Sequence, residues 1–315
     1  MKCGRFLLIT LLCCFACASY GVKKNTGQNE LVSPGLVKDL KPVEVIGETK
    51  LGTSFLSFPT GIAVDFMGNI FITDTGNDRV VKCDPEGKFL KETGGFGWEA
   101  GQFNRPTYVA TDNGLNVYVV DTQNKRIQRF DHNLNYVSTI QIKEGADFSG
   151  FGLLEGIAIT SSGEIIVSDI EGDLLIELNS FFEYERTFGG FGEGGLRDPL
   201  GVCFSQNGDF YAADSRNDRV VIFDSFGNFI KSLGEKILNN PAGVTVGQDQ
   251  LIYVANTGKN SIAVFDPDGN LILEYGNPGT GMGNFDRPTD LKLGKDKLFV
   301  VDSGNNRIQV FEVLR

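Results

Sequence analysis

Histidine and tryptophan are almost missing from this chain of 315 residues, where His132 and Trp98 stand alone. One imidazole cannot build a histidine-rich zinc site, because such sites take several His or Cys ligands at once. Cations are short too: 29 Lys and Arg face 40 Asp and Glu, for a net charge of −11. That balance speaks against general attraction to phosphate backbones or anionic lipid. No apolar run reaches the length of a bilayer span, and the longest, Phe6 to Phe15, falls well short of it. A nucleophile motif, a phosphate-binding glycine loop and a dinucleotide fingerprint are also missing. These absences leave few enzyme classes open.

What is plentiful is glycine, at 40 residues, and phenylalanine, at 25. The first suggests many tight turns between short strands. The second suggests one aromatic packing position used repeatedly. The N-terminus reads as an export signal over residues 1–18: Lys2 and Arg5, then the apolar stretch, then Ala16-Cys17-Ala18 as a small-residue cleavage site. Two products fit, a soluble chain starting near Ser19 and a lipid-anchored one starting at an acylated Cys17. Loss of Lys2 and Arg5 takes the charge from −11 to −13. The expected location is the periplasm, the cell surface or the medium, with membrane contact only through a lipid anchor. Residues 19–42 carry mixed charge and Pro34-Gly35 and read as a flexible tether.

From there a repeat takes over. Asp74-Thr-Gly-Asn-Asp-Arg79 returns as Asp121 to Arg126, Asp214 to Arg219 and Asp302 to Arg307, with degenerate copies at Asp169 to Leu174 and Asn256 to Ser261. The copies lie 42 to 48 residues apart. Around each are four short β-branched or aromatic runs, such as 62–65, 70–73, 80–84 and 89–93, separated by Gly, Pro and Asn turns. Four strands per unit of this length is the pattern of a propeller blade. The fold class expected is all-β: a six-bladed β-propeller of four-stranded antiparallel blades over residues 43–315.

The run Pro59-Thr-Gly-Ile-Ala-Val-Asp65, followed by Gly68-Asn-Ile-Phe-Ile-Thr-Asp-Thr-Gly-Asn-Asp-Arg-Val80, resembles the NHL repeat consensus almost residue for residue. The resemblance covers about residues 55–315. WD40 repeats have a similar length, but their Gly-His and Trp-Asp marks are missing. The last copy stops at three strands, so residues 43–47 are expected to close blade six as its fourth strand. This ring would hold Cys83 and Cys203 in opposite blades as unpaired, buried small groups.

The Asp74–Arg79, Asp121–Arg126, Asp214–Arg219 and Asp302–Arg307 pairs occur in four blades. They read as braces, since a guanidinium holds a carboxylate and carbonyls together. Function should lie where the blades differ. Tyr108, Glu155 and Asp290 depart from small or neutral residues at the start of the innermost strands, at the expected channel mouth. Lys292 stands where other copies have Ala63, Ala110, Ala158, Cys203 and Thr245; either it serves a ligand or it neutralises Asp290. Trp98 lies on a glycine-rich exit loop, either as a stacking surface or as a lid between blades.

The resemblance brings three functional comparisons. Amidating lyases similar in fold use several zinc-binding histidines, which this chain lacks. Six-bladed lactonases gather Glu, Asp and Asn around calcium, which wants roughly 6–8 oxygens; the mouth here offers Glu155, Asp290 and the Thr60, Thr107 and Thr289 hydroxyls. RNA-binding relatives use a basic face, at odds with the charge. The function expected is therefore a monomeric, exported binding or scaffold module for a protein, peptide or glycan, with no nucleic acid partner and no resident cofactor. A calcium-dependent hydrolase or lactonase at the channel mouth is the alternative.

Overall fold

A computed structural model describes residues 37–112, 115–141, 150–295 and 297–315. The signal segment and Cys17 lie outside these residues.

Strands form wherever the β-branched and aromatic runs lie between turn residues. Among the described residues they assemble into six antiparallel sheets of four strands each, taken as blades one to six. In each blade the chain runs outward. The innermost strands are Ile62–Val64, Pro106–Thr111, Leu154–Ile159, Pro199–Phe204, Pro241–Val246 and Pro288–Leu293. The outermost strand of blade six comes from the other end of the chain: Asp39–Ile46 pairs antiparallel with Arg307–Leu314. Closure thus joins both ends in one sheet.

This closing strand begins four residues before the expected boundary, and the segment expected to be a tether contributes Val37 and Leu40 to the core, both at most 3% exposed. Pro42 lies within this strand and does not end it. Instead the ladder shifts register between Pro42 and Glu44, and a bulge of this kind tolerates a residue without an N–H.

The core is distributed. Each of six apolar clusters fills the wedge between two neighbouring blades, as Phe71, Val80, Phe103, Val119 and Phe130 do between blades one and two. The repeated phenylalanine is explained there. Phe103 of an exit loop packs on Phe130 of a third strand at 5.7 Å between centroids, and Phe285 packs on Phe311 at 5.9 Å. Cys83 takes the same third-strand place in the wedge between blades six and one, and both Cys83 and Cys203 are free and buried.

Two faces result. One carries the exit loops between blades and the Asp-to-Arg loops, and is termed the loop face. The other carries the short turns within blades, the turn face. There Asp65 accepts from the N–H groups of Met67 and Asn69 at 2.9 and 2.8 Å, while the Asn69 amide donates back at 2.8 Å. The same Asp-to-Asn lock recurs at Asp131–Asn135, Asp224–Asn228 and Asp266–Asn270. These aspartates are therefore engaged in turn chemistry.

Candidate functional site

Each complete loop ties its blade to the exit loop arriving from the previous one. In blade two, Arg126 Nε donates to Asp121 Oδ2 at 2.7 Å, and its two terminal nitrogens donate to the carbonyls of Trp98, Glu99 and Gln102 at 2.6, 3.0 and 2.9 Å. Asp121 Oδ1 accepts from the Asn104 N–H at 2.8 Å. Arg79–Asp74, Arg219–Asp214 and Arg307–Asp302 make the same pair at 2.6 to 2.8 Å. In blade five Ser261 stands in the arginine's place and donates to Glu274 instead. Leu174 does so in blade three and packs against apolar neighbours.

Sequence reasoning missed a second link in these loops. The fifth residue is left-handed, with φ from +49° to +55°, a conformation that Asp and Asn tolerate best among residues with side chains. Its side chain also reaches the next blade. Asp78, Asp173, Asp218, Asn260 and Asn306 accept from the backbone N–H of Arg105, Asp198, Asn240, Arg287 and Phe58, each at 2.7 Å. Blade two has Lys125 at this position, which pairs with Glu171 on the surface. The signal was present in the Asp or Asn that recurs at the fifth loop position of every copy but the second.

At the axis the expected channel mouth is closed. The innermost strands converge so tightly that a Cβ on Gly61, Gly201 or Gly243 would lie 2.6 Å from backbone of the following blade. Tyr108 departs from this series and fills the centre. Its ring crosses from blade two, and its hydroxyl lies 3.3 Å from Ala242 O and 3.2 Å from Thr289 O, in blades five and six. Tyr108 is 4% exposed, Glu155 3% and Asp290 7%. Glu155 receives Arg105 Nη1 at 3.1 Å. Asp290 receives the Ile62 N–H at 2.9 Å and its neighbour Leu291 N–H at 2.8 Å, which stitches blade six to blade one. The three residues read from sequence as a ligand-facing mouth are thus brought together as a plug.

Burial governs their ionisation. It raises the Asp290 carboxyl to about 7 against the bonds from Ile62 and Leu291, and it raises Glu155 against the pull of Arg105. It also keeps the Tyr108 phenol neutral, helped by the nearby Asp290 and Glu155. The sign for stability follows. Native Asp290 holds its proton up to about pH 7, whereas an unfolded Asp releases it near 3.9. The native state therefore binds more protons in this window, and the group's contribution, present below about pH 4, is lost as pH rises through 7. Asp290→Asn should remove ~1–4 kcal/mol of the stability difference between pH 5 and pH 8. Denaturant melts at both pH values check this, and equal slopes in wild type and variant would contradict it.

Beneath the plug the six innermost strands enclose an axial chamber of about 230 Å³. One layer of its wall is Ala63, Ala110, Ala158, Cys203, Thr245 and Lys292. Lys292 is half-buried and forms no hydrogen bond or ion pair with the described residues, Asp290 included. The neutralising reading holds only in part: no direct pair forms, yet the ammonium acts through space to lower the Asp290 carboxyl against the effect of burial.

Trp98 lies elsewhere, on the loop face. Its carbonyl is held by Arg126, but its side chain is 70% exposed, so it covers no gap between blades. This corrects the lid reading. Phe96 and Phe191, at equivalent positions of two exit loops, are 67% and 98% exposed, and Phe55 and Phe58 project from a third. Arg287 stacks over Phe58, 5.9 Å from the ring centroid.

Residues 56–83, 103–130, 196–223, 238–265 and 285–311 match the NHL repeat model. Blade three, which lacks the arginine, lies between the second and third matches. No curated protein matches the chain. Among solved structures, a streptogramin B lyase is 14% identical with a TM-score of 0.60, over 86% of this chain and 87% of that one. A catalytically inactive virginiamycin B lyase from Staphylococcus aureus, with quinupristin, is 13% identical with a TM-score of 0.61, over 88% and 100%. A chain of a nidogen/laminin complex is 17% identical with a TM-score of 0.58, over 70% and 80%. At these identities the likeness is one of fold.

Proposed function

The chain is a six-bladed propeller of NHL repeats, and on that premise we propose that it is an exported, non-catalytic binding or scaffold module. Its loop face holds a protein, peptide or glycan partner. The observation that carries this reading is the set of aromatic side chains left in solvent on the exit loops: Phe55, Phe58, Phe96, Trp98 and Phe191. Large aromatic rings on a rigid frame supply contact area at low entropic cost and dominate many interfaces. The frame is rigid here because arginine braces fix the loop backbones while the rings stay largely in solvent, Phe58 under Arg287. A chain of the nidogen/laminin complex has the same fold, which is compatible with such a role.

Capture by immobilised protein from the extracellular fraction of its source tests the reading. Trp98→Ala should leave the melting temperature within about a degree and weaken capture by roughly tenfold, a hot-spot loss of ~1.4 kcal/mol or more. An unchanged capture profile from Trp98→Ala and Phe191→Ala together would remove the loop face from consideration. The export step predicts a mature N-terminus at Ser19 or at an acylated Cys17, to be distinguished by intact mass.

The second reading is a calcium-dependent hydrolase or lactonase at the axis, on a fold that known lyases share. It requires Glu155 and Asp290 to surrender the partners they already hold. Lactone turnover that needs calcium and is abolished by Asp290→Ala would replace the binding reading with this one.

A further inference from the structure

We propose that the axial chamber is a binding site for a small carboxylate, entered from the turn face and anchored by Lys292. The site is separate from the loop face and does not depend on what that face binds.

The argument starts from the wall. Five of the six blades place a small residue at this layer, Ala63, Ala110, Ala158, Cys203 and Thr245, and only blade six places a long cationic one there. The small residues leave the space; Lys292 brings the charge into it. A cation drawn into an enclosed space is normally matched by a carboxylate or another anion. Among the described residues none pairs with it directly, and Asp290, whose carboxyl the ammonium pulls down, is felt only at longer range. Asp290, two residues away, spends its oxygens on the N–H groups of Ile62 and Leu291 at 2.9 and 2.8 Å. Glu155 is turned to Arg105. The Lys292 ammonium is therefore left with its donors for a partner from outside.

The remaining surfaces suit an oxyanion. Each innermost strand is paired along one edge only, so its other edge turns backbone N–H groups as well as carbonyls toward the axis. Thr245 adds a hydroxyl, and Val64, Ile159, Val246 and Leu293 add an apolar rim on which a short carbon skeleton can lie. Small-molecule sites commonly combine such walls with few polar anchors. The size limit follows from the 230 Å³ volume, which equals about seven or eight waters. Acetate or benzoate fits; a nucleotide or an oligosaccharide does not. Tyr108 blocks the route from the loop face, because its hydroxyl spans to Ala242 and Thr289. Entry is left to the opposite end.

The experiment is calorimetric titration of the purified protein with sodium acetate, sodium benzoate and inorganic phosphate in low-chloride buffer. At least one carboxylate should saturate a single site per chain. Lys292→Met should weaken that binding by roughly tenfold or more, the loss of a charge-assisted bond, while Lys292→Arg should hold it within about threefold. Melting curves check that both variants fold. A second readout needs no variant: the bound carboxylate should slow reductive methylation of Lys292, followed by peptide mass. Saturation by phosphate alone, no saturable site for any probe, binding equal in Lys292→Met, or no protection of Lys292 would each overturn the proposal. Trp98→Ala should bind the carboxylate as wild type does, which keeps this result distinct from the loop-face test.

Discussion

Arg126→Ala should destabilise the protein by about 3–5 kcal/mol, the scale expected when one partner of a buried ion pair is removed and the other stays. Asp121 is fully buried and would keep only the Asn104, Asn124 and Gln128 donors. The carbonyls of Trp98 and Glu99 would lose the nitrogens that hold them. Two consequences should appear together: a lower midpoint in urea, and faster proteolysis confined to residues 95–104. Arg126→Lys keeps the charge but lacks the planar fork that reaches four acceptors, so it should recover only part of the loss. An Arg126→Ala midpoint within error of wild type would refute the brace. A whole domain has only about 5–15 kcal/mol to lose, so one loop carries a large fraction of it.

A still larger effect is expected from removing the closing strand. Deleting residues 37–46 removes Val37, Leu40 and Ile46, all 4% exposed or less, uncovers the apolar neighbours they pack on, and opens the edge of Arg307–Leu314 along its length. Truncation of one such side chain to alanine typically costs 2–5 kcal/mol, so the deletion should abolish cooperative melting and promote association through the bare edge. Leu40→Ala isolates the packing part, at about 2–4 kcal/mol. Circular dichroism melts with light scattering follow both. A deletion variant that melts as a monomer near the wild-type temperature would mean that blade six does not need its fourth strand.

The architecture was legible because it is written six times. Copies of one pattern average out local ambiguity, and the short final copy pointed to Val43–Gly47 as the missing strand. Phe130, Phe223, Phe265 and Phe311 were legible as one packing place for the same reason. What could not be read was anything fixed by a contact made once. The two carbonyls beside the Tyr108 hydroxyl lie 134 and 181 residues away in sequence, and no spacing rule connects them. Tyr108, Glu155 and Asp290 stood out correctly as departures from the repeat. Whether a departure faces solvent or seals the axis depends on how closely the glycines beside it let the strands approach. The early start of the closing strand was hidden because Pro42 interrupts the alternation that marks a strand.

The links between neighbouring loops carry a topological consequence. The Asn306-to-Phe58 bond joins the last loop to the first blade as Asp218 joins the fourth blade to the fifth, and the Lys38 N–H already donates to Leu314 O at 2.8 Å across the break in the chain. In the fold's own geometry, then, Lys38 and Leu314 stand as the two sides of one more hairpin, lacking only its turn. In a variant trimmed to start at Val37, a short turn peptide from Arg315, like those inside the other blades, would make the backbone a circle. New ends could then be opened between blades two and three, where Lys125 stands in place of the linking acid. The order in which the genetic message is read and the order in which the ring is held together are, for this molecule, separable.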